Sequence, residues 1–184
     1  VMLRSQDDIP NMARAILSRE ANPMAPRKYP AFHGTVKKYR HPNLAGLREV
    51  QRIGADCVID IDIKVGYKKA FRAGESVVRL YDKYDIPYFV KFSGGTGPHI
   101  IIPAEAFPRD CGKFDEVSER ILQFVMKKTG APGIDTSFSS PTHFLRLPYS
   151  VHERTGLVSI PLSKEEFYDF KPKMAEIPNV EVVQ

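Results

Sequence analysis

Residues 57–63 read Cys-Val-Ile-Asp-Ile-Asp-Ile, and this alternation constrains the fold more than any other stretch of the chain. A period of two sets Ile59, Ile61 and Ile63 on one face of a strand and Val58, Asp60 and Asp62 on the other. The apolar face needs a cover, and the next segment supplies one. Tyr67, Ala70, Phe71, Gly74, Val77, Val78, Tyr81 and Tyr84 recur at helical spacing and stop before Pro87, which predicts a long amphipathic helix. PYFVKF and HIIIP are short β-rich runs joined by SGGTGP, so they are expected to pair as neighbouring strands. A second helix is expected with Phe114, Val117, Ile121, Phe124 and Val125 inward, ended by Gly130 with Pro132 just beyond. HFLRLPYS and LVSIPL supply further strand material.

The resulting order is strand, helix, strand, strand, helix, strand. It predicts an α+β fold of the split βαβ type, as in ferredoxin-like and RNA-recognition-motif (RRM-like) domains. One antiparallel sheet would carry two helices on one face and leave the other open. In that order the first and third strands sit side by side at the sheet centre, which brings the glycine-bearing loop near the aspartates.

A length of 184 residues fits a single domain over 1–184. We divide it into an N-terminal extension over 1–50, a palm over 51–165 and a loosely held tail over 166–184. In the extension, Ser5 and Asp8 precede Ile9, Met12, Ala13, Ile16 and Leu17 at the spacing of a capped amphipathic helix. The following stretch is interrupted by Pro23, Pro26, Pro30 and Pro42 and is basic through Arg27, Lys28, Lys37, Lys38 and Arg40. No apolar run approaches the roughly 18–20 residues of a membrane span, and no leader pattern is present, so a soluble cytoplasmic protein is expected. Cys57 and Cys111 form neither a disulfide framework nor a pair at zinc spacing, so no zinc is expected. The net charge of +5 permits a polyanionic partner without demanding one.

Three stretches carry chemistry. Asp60 and Asp62 lie two apart on a strand, with Cα atoms roughly 6.5 Å from each other and side chains leaving the same face. Divalent cations would neutralise two carboxylates so crowded, and a pair of such ions is the apparatus of phosphoryl or nucleotidyl displacement. A solvated face with two ordinary acids is the alternative. Ser93, Gly94 and Gly97 belong to a loop ending in His99, where glycines can turn backbone N–H groups toward an anion while serine and histidine add hydrogen bonds. A plain hairpin would look the same, and the loop lacks the Gly-Lys-Ser of a phosphate-binding Walker loop. Within RLPYSVHERTGL stand Arg146, Ser150, His152 and Arg154. His152 and Arg154 alternate as strand neighbours would and could present donors to a triphosphate; surface residues of an edge strand, with Arg146 paired to an acid, are the plainer reading. Asp135, alone before a Thr/Ser-rich run, has the look of a turn residue or helix cap.

Taken together, the stretches from about Cys57 to about Asp169 resemble the archaeo-eukaryotic primase superfamily. That family includes the small catalytic subunit of archaeal primases and the polymerase domain of prokaryotic end-joining ligases. The resemblance implies that Asp60 and Asp62 bind two catalytic Mg2+ or Mn2+ ions, with Asp135 as third ligand. It implies that Ser93, Gly94, Gly97 and His99, with Arg146, Ser150, His152 and Arg154, hold an incoming nucleotide. It further implies a DNA or RNA template-primer and nucleoside triphosphates as partners, a ligase or accessory primase subunit as an associate, and a nucleoid-associated place in a prokaryotic or archaeal cell. Three departures stand out. Gly95 and Thr96 occupy the part of the loop where the family carries a basic residue, for which Lys91 or Arg154 could substitute. The zinc-containing insert between loop and third acid is missing, and the first fifty residues match only vaguely. Arg27, Lys28, Lys37, Lys38 and Arg40 are candidates for template phosphates.

The expected activity is therefore that of a metal-dependent nucleotidyltransferase, a template-directed DNA or RNA polymerase or primase serving replication priming or DNA repair. A non-catalytic RRM-like nucleic-acid-binding module is the competing class, although the first strand's acids and the aliphatic HIIIP leave it without the usual stacking aromatics. A nucleotidyl cyclase would explain metals and a triphosphate but not the Arg-Leu-Pro segment.

Overall fold

The computed structural model describes residues 31–40, 52–63, 66–108, 113–139 and 143–180. The expected helix near residues 5–17, together with Arg27, Lys28 and Cys111, lies outside them. Strands β1 (His33–Thr35), β2 (Lys37–Tyr39) and β3 (Arg52–Ala55) precede β4 (Cys57–Ile61), the strand of alternating isoleucines and acids. Helix α1 (Tyr67–Lys83) leads to β5 (Phe89–Phe92) and β6 (Pro98–Ile102). Helix α2 (Phe114–Thr129) is followed by β7 (Ile134–Asp135), β8 (Phe144–Arg146), β9 (Pro161–Leu162) and the short helix α3 (Lys164–Tyr168).

β4 through β7, with β9, make a five-stranded sheet in the order β7-β4-β6-β5-β9, antiparallel at every junction. The first and third palm strands are thus neighbours, as the split βαβ order requires. Ile59 and Ile61 join Val90, Phe92, Ile100 and Ile102 on the face that α1 and α2 cover. On α1 the expected Ala70, Phe71, Gly74, Val77, Val78 and Tyr81 are buried, joined by Ala73, whereas Tyr67 is only partly buried and Tyr84 is exposed. On α2 the stripe is rotated: Leu122 is buried and Phe124 is exposed against Tyr84. Gly130 ends α2 in the left-handed conformation at φ 62°, which its missing Cβ permits.

Three expectations are corrected. HFLRLPYS does not join the main sheet, because β8 pairs with β1 in a separate ribbon; the fourth palm strand is the two-residue β7. The face opposite the helices is not open, for Val58, Lys91, His99 and Ile101 are all buried there. Finally, 166–180 is not loosely held. Phe167, Phe170 and Ala175 belong to the core, Phe170 stacks on Phe71 with centroids 4.3 Å apart, and Val158 N–H donates to the Ala175 carbonyl at 2.8 Å.

Candidate active site

Sheet register builds the site. Across the ladders Asp60 is opposite both Asp135 and His99, and His99 is opposite Lys91. Directly paired residues of antiparallel strands project to the same side, so one row of ionisable residues, Asp135, Asp60, His99 and Lys91, crosses the helix-free face. Asp62 follows the end of β4, where its N–H donates to the Gly133 carbonyl at 2.9 Å and continues the line toward β7.

Above the row lies a cavity of about 540 Å³ lined by Asp60, Asp62, Ser93, His99, Arg146, His152 and Arg154 among others. Those seven sequence candidates, drawn from three distant stretches, share one space. Four others do not line it. Asp135 accepts a hydrogen bond from Ser137 N–H at 2.8 Å, an Asx turn opening a 3-10 turn over Thr136–Ser139. Ser150 is buried and its hydroxyl accepts from Phe32 N–H at 2.7 Å, fastening the chain before β1 to the Arg-Leu-Pro segment. Gly94, at φ 82°, and Gly97 shape the loop from behind. A Cβ on Gly97 would be driven into the Ile61 carbonyl oxygen, so only glycine lets the loop close against the end of β4. Lys37, Lys38 and Arg40 lie away from this cavity. Lys38 pairs with Asp56 at 3.1 Å, and both Lys38 and Arg40 line a second cavity beside Gly54 and Phe107.

The glycine loop is internally braced. Ser93 N–H donates to the Gly97 carbonyl at 3.0 Å, and Ser93 Oγ accepts from Gly95 N–H at 3.1 Å. Thr96, in the position of the absent basic residue, donates its hydroxyl to Asp62. The loop is therefore tied to the acid beside it.

His152 and Arg154 are not alternating strand neighbours. Val151 bridges Val158, His152 N–H donates to Leu157 O at 2.8 Å, and Gly156 at φ 74° turns the chain. His152 thus stands in the stem of a hairpin and Arg154 at its tip, because Thr155-Gly156 favours a tight reversal over extension. Thr155 holds the tip down by donating its hydroxyl to Gly94 O at 2.6 Å. His152 Nδ1 accepts from the N–H groups of Arg154 and Thr155, at 3.2 and 3.3 Å. In the neutral ring the proton is then on Nε2, which lies beside Gly95. Burial holds His152 below the usual histidine range, and the Arg146 charge adds to the effect. Burial likewise depresses His99, against the pull of Asp60, whose Oδ1 lies 3.3 Å from His99 Nε2.

Arg146 donates to Glu153 at 2.7 Å and to the Val151 carbonyl at 3.2 Å. Burial pushes Glu153 up, but hydrogen bonds from its own backbone N–H and from Arg146 outweigh it and bring the carboxyl down to about 2. Lys91, 2% exposed, donates to the Arg146 carbonyl at 2.6 Å and to Ser159 Oγ at 3.0 Å, and the Ser159 hydroxyl in turn donates to the Phe92 carbonyl at 2.8 Å. It is a strut between sheet and hairpin and does not line the cavity, whereas Arg154 does. Burial lowers Lys91 to about 7, with the Arg146 charge acting in the same direction.

Sequence reasoning passed over five described lining residues: His33, Gly95, Thr96, Phe144 and Thr155. Phe144 and Thr155 flank or lie within the Arg-Leu-Pro segment, whereas His33 enters only because β1 pairs with β8.

No family model matches the chain. An uncharacterized protein of Methanocaldococcus jannaschii is 30% identical over a match that spans 64% of this chain and 30% of that protein. Among solved structures, the polymerase domain of Mycobacterium tuberculosis Ligase D, in complex with DNA, superposes with a TM-score of 0.55 at 20% identity. The match covers 76% of this chain and 54% of that one. The likeness establishes a shared fold. The chain spans about a third of the archaeal relative and about half of the polymerase-domain structure. Among the described residues no helix is long and apolar enough to cross a membrane.

Proposed function

We propose that the chain is a metal-dependent nucleotidyltransferase that extends, or starts, a nucleic-acid strand on a template. The observation that carries this reading is the polarity of the cavity. Asp60 and Asp62 stand at one side, while Arg146 arrives on β8 and His152 and Arg154 on the hairpin that follows it. Such an arrangement suits a triphosphate that must be held by cations at its tail and presented to acids at its reacting phosphorus. The sequence resemblance supports it, and so does a fold shared with a polymerase domain described in complex with DNA. That complex also favours nucleic acid as the second substrate.

The donor set fits a hard divalent ion. Among the described residues no three His, Cys, Asp or Glu side chains are gathered at ligand spacing, but magnesium is ordinarily bound through one or two carboxylates, with waters and substrate phosphates completing its shell. Asp60 and Asp62 would hold it, and Asp135, on neighbouring β7, would join by releasing Ser137 N–H. Ions bound there would neutralise charge on the attacking 3′-hydroxyl and on the pyrophosphate that leaves.

The chain's own residues do the aligning. Neutral His152 directs Nε2–H toward the glycine loop, Arg154 supplies a mobile positive charge at the hairpin tip, and Thr96 orients Asp62. His99 steadies Asp60 from the neighbouring strand. Fixing the triphosphate in this way converts an encounter into an aligned attack, the largest advantage a site without covalent catalysis can offer. The test is extension of primed, gapped, nicked and unprimed templates with Mg2+ or Mn2+ and each nucleotide type, run beside an assay for cyclisation of a lone nucleotide. Template-dependent extension supports the proposal. Binding without extension would leave an RRM-like module, and cyclisation alone would leave a cyclase.

A further inference from the structure

β8 carries Phe144 and Arg146 two apart, so both leave one face of the β1–β8 ribbon, and their cross-strand partners Thr35 and His33 share that face. His33, Phe144 and Arg146 all line the cavity that contains Asp60. Phe144 is 62% exposed, more than any other large apolar side chain among the described residues. Among the described residues every other side chain lining that cavity is polar or charged. A lone phenyl ring left in water at the wall of a polar site gains nothing for the fold, because burial is what rewards such a ring. Its exposed face is matched by a flat, apolar-faced ligand.

We propose that Phe144, with His33 beside it, is the platform on which the base of the bound nucleotide stacks. The inference rests on the nucleotidyltransferase reading and extends it to a specificity rule. Stacking accepts every base, because every base has a π-face. A template-directed enzyme needs that indifference, since the template and not the protein must choose the base. Adjacent Arg146, tied to Glu153, marks where the platform gives way to the charged hairpin that would take the phosphates.

The chain has no tryptophan, so F144W installs a single emitter at the platform and F124W installs one on α2, across the sheet from the cavity. With magnesium present, each nucleoside triphosphate should quench F144W emission and leave F124W unchanged. Inorganic tripolyphosphate, which has no base, should quench neither. F144A should raise KM for nucleotides about tenfold with little change in kcat, F144Y should restore it, and both should melt with the wild type, because the ring is exposed. If calorimetry shows triphosphate binding to F144W without quenching, or tripolyphosphate quenches equally, the platform is overturned while the active-site reading stands. If calorimetry shows no triphosphate binding to the wild type, the active-site reading falls and takes the platform with it.

Discussion

Asp60 and His99 face each other across the β4–β6 ladder, with His99 Nε2 3.3 Å from Asp60 Oδ1. The pair sits at the middle of the row from Asp135 to Lys91, at the floor of the cavity. A buried imidazole held next to a carboxylate limits the rotamers that carboxylate can take. Asp60 is thereby presented to the cavity in a narrow set of orientations, the condition that the proposed metal role would place on it.

Asp60→Ala is accordingly expected to lower template-dependent extension by about 10³-fold or more, equivalent to about 4 kcal/mol of transition-state stabilisation. Millimolar Mg2+ or Mn2+ should raise the melting temperature of the wild type and not of the variant, since a ligand that binds only the folded state stabilises it by mass action. Near-normal turnover with an unchanged metal-dependent melt would remove Asp60 from the metal site.

Lys91 predicts a pH dependence of stability. Its folded-state value of about 7 lies below the ordinary 10.5, mainly through burial. Between those values the unfolded chain binds a proton that the folded chain does not. Stability should therefore climb as pH rises from about 7 toward 10, and the gain is lost as pH falls back from 10 to about 7, below which this group adds no slope. The groups around the amine are the Arg146 carbonyl and guanidinium, Ser159 and Asp60. Lys91→Met removes the titrating group, so denaturant melts across this window should show a clearly shallower slope for the variant. Parallel slopes would place the ammonium's proton loss outside the window.

Gly97→Ala and Gly130→Ala separate two uses of glycine. At Gly97 a methyl meets the Ile61 carbonyl oxygen, a backbone atom that cannot give way; at Gly130 the conformation is left-handed but the space is open. The first substitution should cost about 3 kcal/mol or more, and the second about 1 kcal/mol. At about 2–4 °C of melting temperature per kcal/mol for a chain of this size, the two are readily resolved by calorimetry. Equal losses would mean that the loop does not depend on its approach to β4.

Phe170→Ala should destabilise by about 3–5 kcal/mol, the usual cost of deleting a buried phenyl ring. The ring lies on Phe71 and 4.6 Å from Phe92, centroid to centroid, inside the core. A loss below about 1 kcal/mol, measured by urea unfolding, would restore the C-terminal segment to the status of a tail.

What could be read from the residues was whatever local periodicity encodes. Alternation along β4 separates Ile59 and Ile61 from Asp60, and the α1 stripe names nearly every buried residue of that helix. Periodicity does not encode partners. HFLRLPYS has the composition of a strand, but nothing within it reveals that β8 joins β1, more than a hundred residues earlier, and so places His33 in the cavity. On α2, Leu122 and Phe124 are both apolar and lie on different faces, and only packing against the sheet decides between them. Phe167 falls in a short helix, Ala175 in a 3-10 turn over Pro172–Ala175 and Phe170 between the two, segments too brief to show a period. The acids, the glycine loop and the Arg-Leu-Pro segment were visible as motifs; the register that aligns Asp135, Asp60, His99 and Lys91 was not.

The bond from Phe32 N–H to Ser150 Oγ spans 118 positions, and the Lys91 strut spans 55. Walls assembled from such remote parts of the chain cannot form early, because each long loop must be closed before its contacts return any free energy. The central β4, β6 and β5 ladders can condense from closer neighbours, whereas the cavity is completed only when the segment around Phe32 meets the Arg-Leu-Pro segment. Competence at this site should therefore be the last property to return on refolding and the first to disappear under mild denaturant, ahead of any loss of helical signal.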